Sequence, residues 1–130
     1  MVSLKALREK LDALLERFRG GKRKGLVLTL LAVVRLSDRG EKITPEKVVE
    51  EAHRIMEENP ETDWGVSKDE YTVGLASSLL KELVEMGVLD VEETPSGLVY
   101  KLSQTEEGVN PRDEIMARFG YLIFYGGPAR

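Results

Sequence analysis

The chain has 130 residues, of which 42% are hydrophobic and 32% are charged, and its formal net charge is −4. This length predicts one domain whose core can fold without disulfides or metals, and the absence of cysteine excludes disulfide bonds, thiolate catalysis and cysteine-ligated metal centres. The longest apolar run, residues 26–34, is too short to cross a bilayer. The N-terminus has no signal-peptide pattern, so we expect a cytoplasmic protein.

Positive and negative charges are separated along the chain. Residues 1–25 contain eight Lys or Arg against three Asp or Glu, whereas residues 41–70 contain four against ten and residues 71–110 contain two against seven. Neutralisation of phosphates supplies most non-specific affinity for nucleic acids, so the N-terminal end is the favoured place for such contacts. Scarce Asn and Gln, with abundant Glu, Lys and Arg, are typical of a thermophile.

The first predicted element is an amphipathic helix from Ser3 to Arg19. Its apolar residues recur in steps of three and four, which places them on one face; they are Leu4, Leu7, Leu11, Leu14 and Phe18. A stripe of this kind needs a partner. Two partners remain open, namely the rest of the same chain or a second subunit in a homodimer.

A dense group of cations lies at the end of this helix and after it. Its members are Arg17, Arg19, Lys22, Arg23 and Lys24, and the glycines at 20 and 21 end the helix between them. Such a run serves either as a solvated linker or as an arm that contacts phosphates, and the sequence leaves both interpretations open.

Two further helices are predicted before the middle of the chain. Residues 25–38 are apolar almost all round, so this helix should be buried on most sides. Thr44 is the predicted N-cap of the next helix, with Pro45 at its first position. The polar side of that helix is interpreted as a solvated acidic face, made of Glu46, Glu50, Glu51, Glu57 and Glu58. His53 has no partner at metal-ligand spacing, so we expect no metal site and no cofactor.

Residues 59–66 form a predicted loop that contains the sole tryptophan, Trp64. An indole in such a loop either anchors the loop on the core or serves as a hot spot for a partner. Ser67 and Glu70 have the spacing of a capping box, which predicts that the next helix begins at Ser67. Leucines at 75, 79 and 83 share one face of this helix, and Gly87 is placed to end it.

A β-hairpin is predicted directly after that helix. Residues 88–91 begin a strand, residues 94–97 have turn chemistry, and residues 98–102 make the return strand. The segment LLKELVEMGVLDVEETPSGLVYKLS, residues 79–103, resembles the third helix and wing of archaeal winged helix-turn-helix proteins. With LVLTLLAVVRL (residues 26–36) and TPEKVVEEAHRIM (residues 44–56), it gives the order helix, helix, helix, hairpin.

The nearest pattern is the C-terminal winged-helix domain of archaeal origin-recognition initiators, without the ATPase that precedes it there. The resemblance implies a mainly α fold with a small β-hairpin, a winged helix-turn-helix with additional N- and C-terminal helices. It also implies duplex DNA as the partner and a role in transcription regulation or replication. The predicted divisions are residues 1–21, a winged-helix domain at 22–104, and a C-terminal segment at 105–130.

In such a domain the third helix enters the major groove. The candidate contacts on its polar face are Lys68, Thr72, Ser77, Ser78 and Lys81, and the wing adds Lys101 beside Glu92 and Glu93. This face has no Arg, Asn or Gln for bidentate base recognition, so strong sequence-specific readout is not expected. The alternative is a protein-interaction module that uses its acidic third helix and wing.

Asn110 and Pro111 predict the start of a last helix. Its apolar residues are Ile115, Phe119, Leu122 and Ile123, which we assign with the N-terminal stripe to a dimer interface. The apolar end of the chain, residues 120–130, is expected to be covered by the first helix or by a second subunit. We find no phosphate-binding glycine loop and no Ser-His-Asp set, so we do not expect an enzyme.

Overall fold

The structure is a computed structural model that describes residues 1–123. Within these residues the regular elements are α1 Leu4–Arg19, α2 Lys24–Asp38, α3 Pro45–Glu58, α4 Val73–Glu85, β1 Leu89–Thr94, β2 Gly97–Leu102 and α5 Pro111–Phe119, followed by a 3-10 turn, Gly120–Leu122. A mainly α fold with a small antiparallel hairpin, in the order α2, α3, α4, hairpin, confirms the predicted fold class. The cover expected for the apolar end of the chain falls partly on residues 124–130, which lie outside the described part.

Helix α2 is the centre of the core. Every residue from Leu26 to Val34 is buried, and the helix contacts α1, α3, α4, α5 and β2. The predicted burial on most sides is therefore confirmed. Thr29 is the polar residue within this run. Its hydroxyl donates to the carbonyl oxygen of Gly25 at 2.8 Å and lies 2.5 Å from the hydroxyl of Tyr71, so it is satisfied inside the core.

Helices α1 and α5 pack on each other at one side of α2. The Phe18 ring meets the ring of Phe119 edge to face, with centroids 6.4 Å apart. Around this contact Arg118 binds Asp12 at 2.7 Å and Glu114 at 3.1 Å. The apolar stripe of α1 thus finds its partner within the same chain.

This packing changes the interpretation of the predicted dimer interface. Six of its nine side chains are buried within one chain, namely Leu7, Leu11, Leu14, Ile115, Phe119 and Ile123, and the other three, Leu4, Phe18 and Leu122, are partly buried. Helices of the same chain cover the six buried side chains, so these are not available to a second subunit in this fold. Formation of a homodimer stays a prediction and would need another surface.

The helix predicted to begin at Ser67 begins instead at Val73. Both capping-box hydrogen bonds form, since the backbone N–H of Ser67 donates to Oε1 of Glu70 at 2.8 Å and the N–H of Glu70 donates to Oγ of Ser67 at 3.2 Å. They close a single turn, however, because Tyr71 enters the core immediately afterwards and is 1% exposed. Burial of one large aromatic side chain therefore overrides the local capping signal.

The N-cap of α4 is Thr72, which is extended at φ −101° and ψ 171° and accepts a hydrogen bond from the N–H of Leu75. Lys68 consequently lies in the turn before the helix and not on its polar face. Trp64, in the preceding loop, is 3% exposed. This burial confirms its role as an anchor of the loop on the core.

The hairpin is antiparallel, in a register that runs from the pair Leu89 and Leu102 to the pair Thr94 and Gly97. On the other side of β2, the N–H of Tyr100 donates to the carbonyl oxygen of Ile43 at 2.8 Å. The segment before α3 thereby joins the hairpin as a short third partner. This hydrogen bond fixes the wing to the helical core.

Glu51 corrects the predicted solvated face of α3. It is 1% exposed, and its carboxylate binds Arg35 at 2.7 Å, Arg39 at 2.6 Å and Arg54 at 2.6 Å. A carboxylate in this position must be paired, because desolvating an isolated charge is costly. Arg35 and Arg39 come from the end of α2, so Glu51 fastens that end to α3.

We expect Glu51→Gln to lower the free energy of unfolding by about 2–3 kcal/mol, because it leaves three guanidinium groups without their shared carboxylate. Partial exposure of the arginines keeps this value below that of a fully dry ion pair. Urea denaturation measures the change. The matched control is Glu50→Gln on the exposed side of the same helix, where we expect less than about 0.5 kcal/mol. Equal losses in the two variants would contradict the assigned role of Glu51.

Acid should weaken the same interaction. Burial raises the pKa of Glu51, but the hydrogen bond from Arg39 and the charges of Arg35 and Arg54 outweigh burial, and the pKa lies below its ordinary value of 4.5. A lowered pKa in the folded state contributes stability above the unfolded pKa and loses it as pH falls. The free energy of unfolding should therefore decline from about pH 4.5 downward, and decline less steeply in Glu51→Gln. Identical acid slopes in both proteins, measured by urea denaturation, would refute this.

Candidate nucleic-acid interface

The loop between α1 and α2 lies against helix α4. Its last residue, Arg23, has φ 58° and ψ 30°, in the left-handed region that favours glycine. The Arg23 guanidinium forms an ion pair with Glu82 of α4. A residue in a strained conformation thus places the predicted cationic run beside the predicted recognition helix.

Two open cavities lie near this ion pair, each at a boundary between α4 and a neighbouring segment. The first, of about 250 Å³, separates the loop from α4 and from the Trp64 loop; its lining includes Gly21, Arg23, Lys24, Gly65, Leu75 and Leu79. Gly65 has φ +77°, and a Cβ added there would lie 3.1 Å from Cβ of Lys24. This close approach holds the Trp64 loop directly against the start of α2.

The second cavity, of about 240 Å³, lies between α1 and α4 and is lined in part by Lys10, Arg17, Glu82 and Met86. Beside it, the ammonium group of Lys10 donates to the carbonyl oxygen of Met86 at 2.5 Å, at the C-terminal end of α4. A cation there complements the negative end of the helix dipole. Helix α1 therefore brings Arg17 to the same side of the molecule as the loop.

The predicted cations divide into paired and unpaired groups. Arg23 is paired with Glu82, Lys24 with Asp63 at 2.9 Å, and Lys68 with Glu57. The hydrogen bond from Lys24, together with that from the N–H of Gly65, holds the pKa of Asp63 below its ordinary value. Within residues 1–123 no ion pair is made by the remaining predicted cations, which are exposed: Arg17, Arg19, Lys22, Lys81 and Lys101.

The outward face of α4 is polar and small. Gly74, Ser78, Lys81 and Glu85 are exposed, while Ser77 is half-buried. The hydroxyl of Thr72 already caps the helix, although its oxygen can accept a further hydrogen bond. This surface can approach a nucleic-acid backbone closely, but Lys81 is its one cation among the described residues.

Lys101 is separate from this group. It lies on β2, where its backbone partner is Asp90, and it lines a different cavity with Val91, Glu92 and Val99. Glu92 and Glu93 are exposed on the neighbouring strand. The structure thus brings Arg17 and the loop to α4. It does not bring Lys101 there, nor Arg19, which lines a cavity that no described residue of α4 borders.

Sequence reasoning missed the residues that hold this arrangement together. Glu82, Lys10 and Asp63 fix the loop and α1 in place, yet each pairs with a residue more than thirty positions away. No spacing rule connects such residues, so only the folded chain brings them together.

Two findings concern metal binding and membrane insertion in the described part of the chain. Among residues 1–123 no group of three or more His, Asp or Glu side chains could hold a metal ion. His53 instead has Nε2 3.0 Å from the carbonyl oxygen of Tyr71. None of the described helices has both the length and the apolar character needed to pass through a membrane.

A scan against protein-family models, a search of curated proteins and a search of solved structures each found no match to this chain. The resemblance to archaeal winged-helix proteins therefore stays a prediction.

The strain at Arg23 can be measured by two substitutions. Arg23→Ala removes the ion pair but keeps a Cβ in the left-handed conformation, whereas Arg23→Gly removes both. We expect the glycine variant to be more stable than the alanine variant by about 1 kcal/mol in thermal denaturation. An alanine variant of equal or greater stability would show that this backbone conformation is not strained.

Proposed function

We propose that this chain is a winged-helix protein that binds duplex DNA in transcription regulation or replication. The observation that carries the proposal is the ion pair between Arg23 and Glu82, which holds the cationic loop against α4. Exposed cations that lack carboxylate partners are the ones free to neutralise phosphates. Arg17, which lines the cavity beside α4, and Lys22, which precedes Arg23 in the loop, are such residues on this side of the molecule.

In this proposal α4 enters the major groove with Ser78 and Lys81 facing the DNA. Arg17 and Lys22 contact the phosphates that flank the groove, as positioning contacts commonly do. Arg23 and Lys24 act mainly through their carboxylate partners, by fixing the loop. The acidic wing stays away from the phosphates because Glu92 and Glu93 would be repelled by them.

Base discrimination should be weak in this arrangement. Hydroxyl groups contact backbone and bases with little selectivity, and strong discrimination depends on bidentate pairs from Arg, Asn or Gln. The outward face of α4 offers serine, threonine and one lysine. We therefore expect similar affinities for duplexes of unrelated sequence. Neither the contacts of α4 with the groove nor the contacts of the cations with phosphates require a second subunit.

A second candidate function is supported by the wing itself. Val91 and Leu98 are each 42% exposed there, next to the exposed carboxylates of Glu92 and Glu93. Exposed apolar groups bordered by charge are typical of protein-contact surfaces, and the sign of this charge fits a basic partner. The protein would then act as an interaction module without reading DNA.

Salt dependence distinguishes the two functions. Each phosphate contact contributes about −0.9 to the slope of log affinity against log salt concentration. We expect Arg17/Lys22→Ala to make the slope for a blunt duplex shallower by about 2, since two contacts are lost. Fluorescence anisotropy at several salt concentrations measures this slope, with protein titrated to about 100 μM to reach the range of non-specific binding.

The matched control is Lys5/Lys42→Ala, which removes two exposed cations outside the loop and changes the net charge equally. Its slope should equal that of the wild type. No duplex binding by the wild type at about 50 mM salt would reject the DNA function and favour the wing as a protein-contact surface. An equal change of slope in both double variants would show that net charge, and not this face, determines binding.

A further inference from the structure

A third open cavity lies at the opposite side of the cationic loop. Its volume is about 320 Å³, and it is bordered by the end of α1, the Trp64 loop and the 3-10 turn that follows α5. Its lining includes Phe18, Arg19, Asp63 and Tyr121. Gly21 and Lys24 line both this cavity and the one beside α4, so the loop connects the two.

Tyr121 distinguishes this cavity from the rest of the surface formed by residues 1–123. Its side chain is 67% exposed, whereas Tyr71 and Tyr100 are both buried. An exposed aromatic ring beside unpaired cations is the combination on which nucleic-acid bases stack, because every base has a π-face and is attached to a phosphate. Phe18, which is partly buried, provides a second aromatic surface in the same cavity.

The charges in the cavity suit an anionic backbone. Asp63 is the acidic residue in its lining, and Lys24 and the N–H of Gly65 both hydrogen-bond to it. Its charge is thereby compensated within the protein. Arg19 is exposed and has no ion pair among residues 1–123, so it is the cation left for a phosphate.

We propose that this cavity receives an unpaired nucleotide of a DNA strand that leaves a duplex, with its base stacked on Tyr121 and its phosphate bound by Arg19. This inference rests on the proposed function, because the duplex itself would lie on α4. The DNA that the protein recognises would then be a junction between a double-stranded and a single-stranded segment. The loop connects the duplex on α4 with this cavity. Lys22 lies in the loop between Gly21 and Lys24, which line both cavities, and it forms no ion pair among residues 1–123.

The test compares two DNA probes by fluorescence anisotropy at one salt concentration. One is a blunt duplex, and the other is the same duplex with a single-stranded thymidine overhang. We expect the wild type to bind the overhang probe roughly tenfold more tightly, as one stacked base contributes. Tyr121→Ala should lose this preference and keep its affinity for the blunt duplex. Tyr121→Phe should retain the preference, because the ring remains. Gln104→Ala, a neutral change of an exposed side chain after β2, is the control and should behave as the wild type.

The outcomes separate this inference from the proposed function. Binding of the blunt duplex with no preference for the overhang would overturn the nucleotide cavity alone, and binding of neither probe would overturn both. A preference that persists in Tyr121→Ala would also overturn it.

Discussion

The fold depends on one constraint, which is that α2 must be covered on every side. Its residues from Leu26 to Val34 are all buried, so no face of the helix is left for solvent. Three packed helices and a hairpin leave one side of such a helix open. The α1–α5 pair closes that side, which explains why the three helices and the hairpin here carry an additional helix at each end. Burial of this apolar surface, at about 25 cal/mol per Å², is the dominant stabilising contribution.

The polar contacts then determine how the layers are oriented. Glu51 fastens the end of α2 to α3, and Tyr71 reaches from the turn before α4 to Thr29 in the middle of α2. Burial raises the pKa of Tyr71 to about 12, so this phenol stays neutral and remains a hydrogen-bonding group at any physiological pH. Hydrogen bonds inside a close-packed core have little freedom to rearrange. The position of α4 is thus fixed from the centre of the molecule outward.

The sequence predicted the elements well where periodicity and caps agree. Thr44 and Asn110 both serve as the N-caps expected of them, and the hairpin forms with its turn at residues 94–97. It failed where a tertiary contact overrides a local signal. Ser67 and Glu70 make their capping box, yet burial of Tyr71 delays the helix.

Glu51 shows a second kind of failure. It belongs to a run of glutamates that looks solvated, but the ends of two helices bring three arginines to it. The candidate site was predictable only in part for the same reason. The cationic run is visible in the sequence, whereas its place beside α4 depends on Glu82, which lies far away in the chain.

Gly65 has a consequence for the cationic loop as a whole. The Trp64 loop packs against Lys24 on one side, and Glu82 forms an ion pair with Arg23 on the other. These two contacts restrict the conformation of the cationic loop. A segment immobilised in advance has little conformational entropy left to lose when it meets a ligand. Association should accordingly resemble rigid-body docking, with fast encounter kinetics and without the large heat-capacity change that accompanies folding on binding.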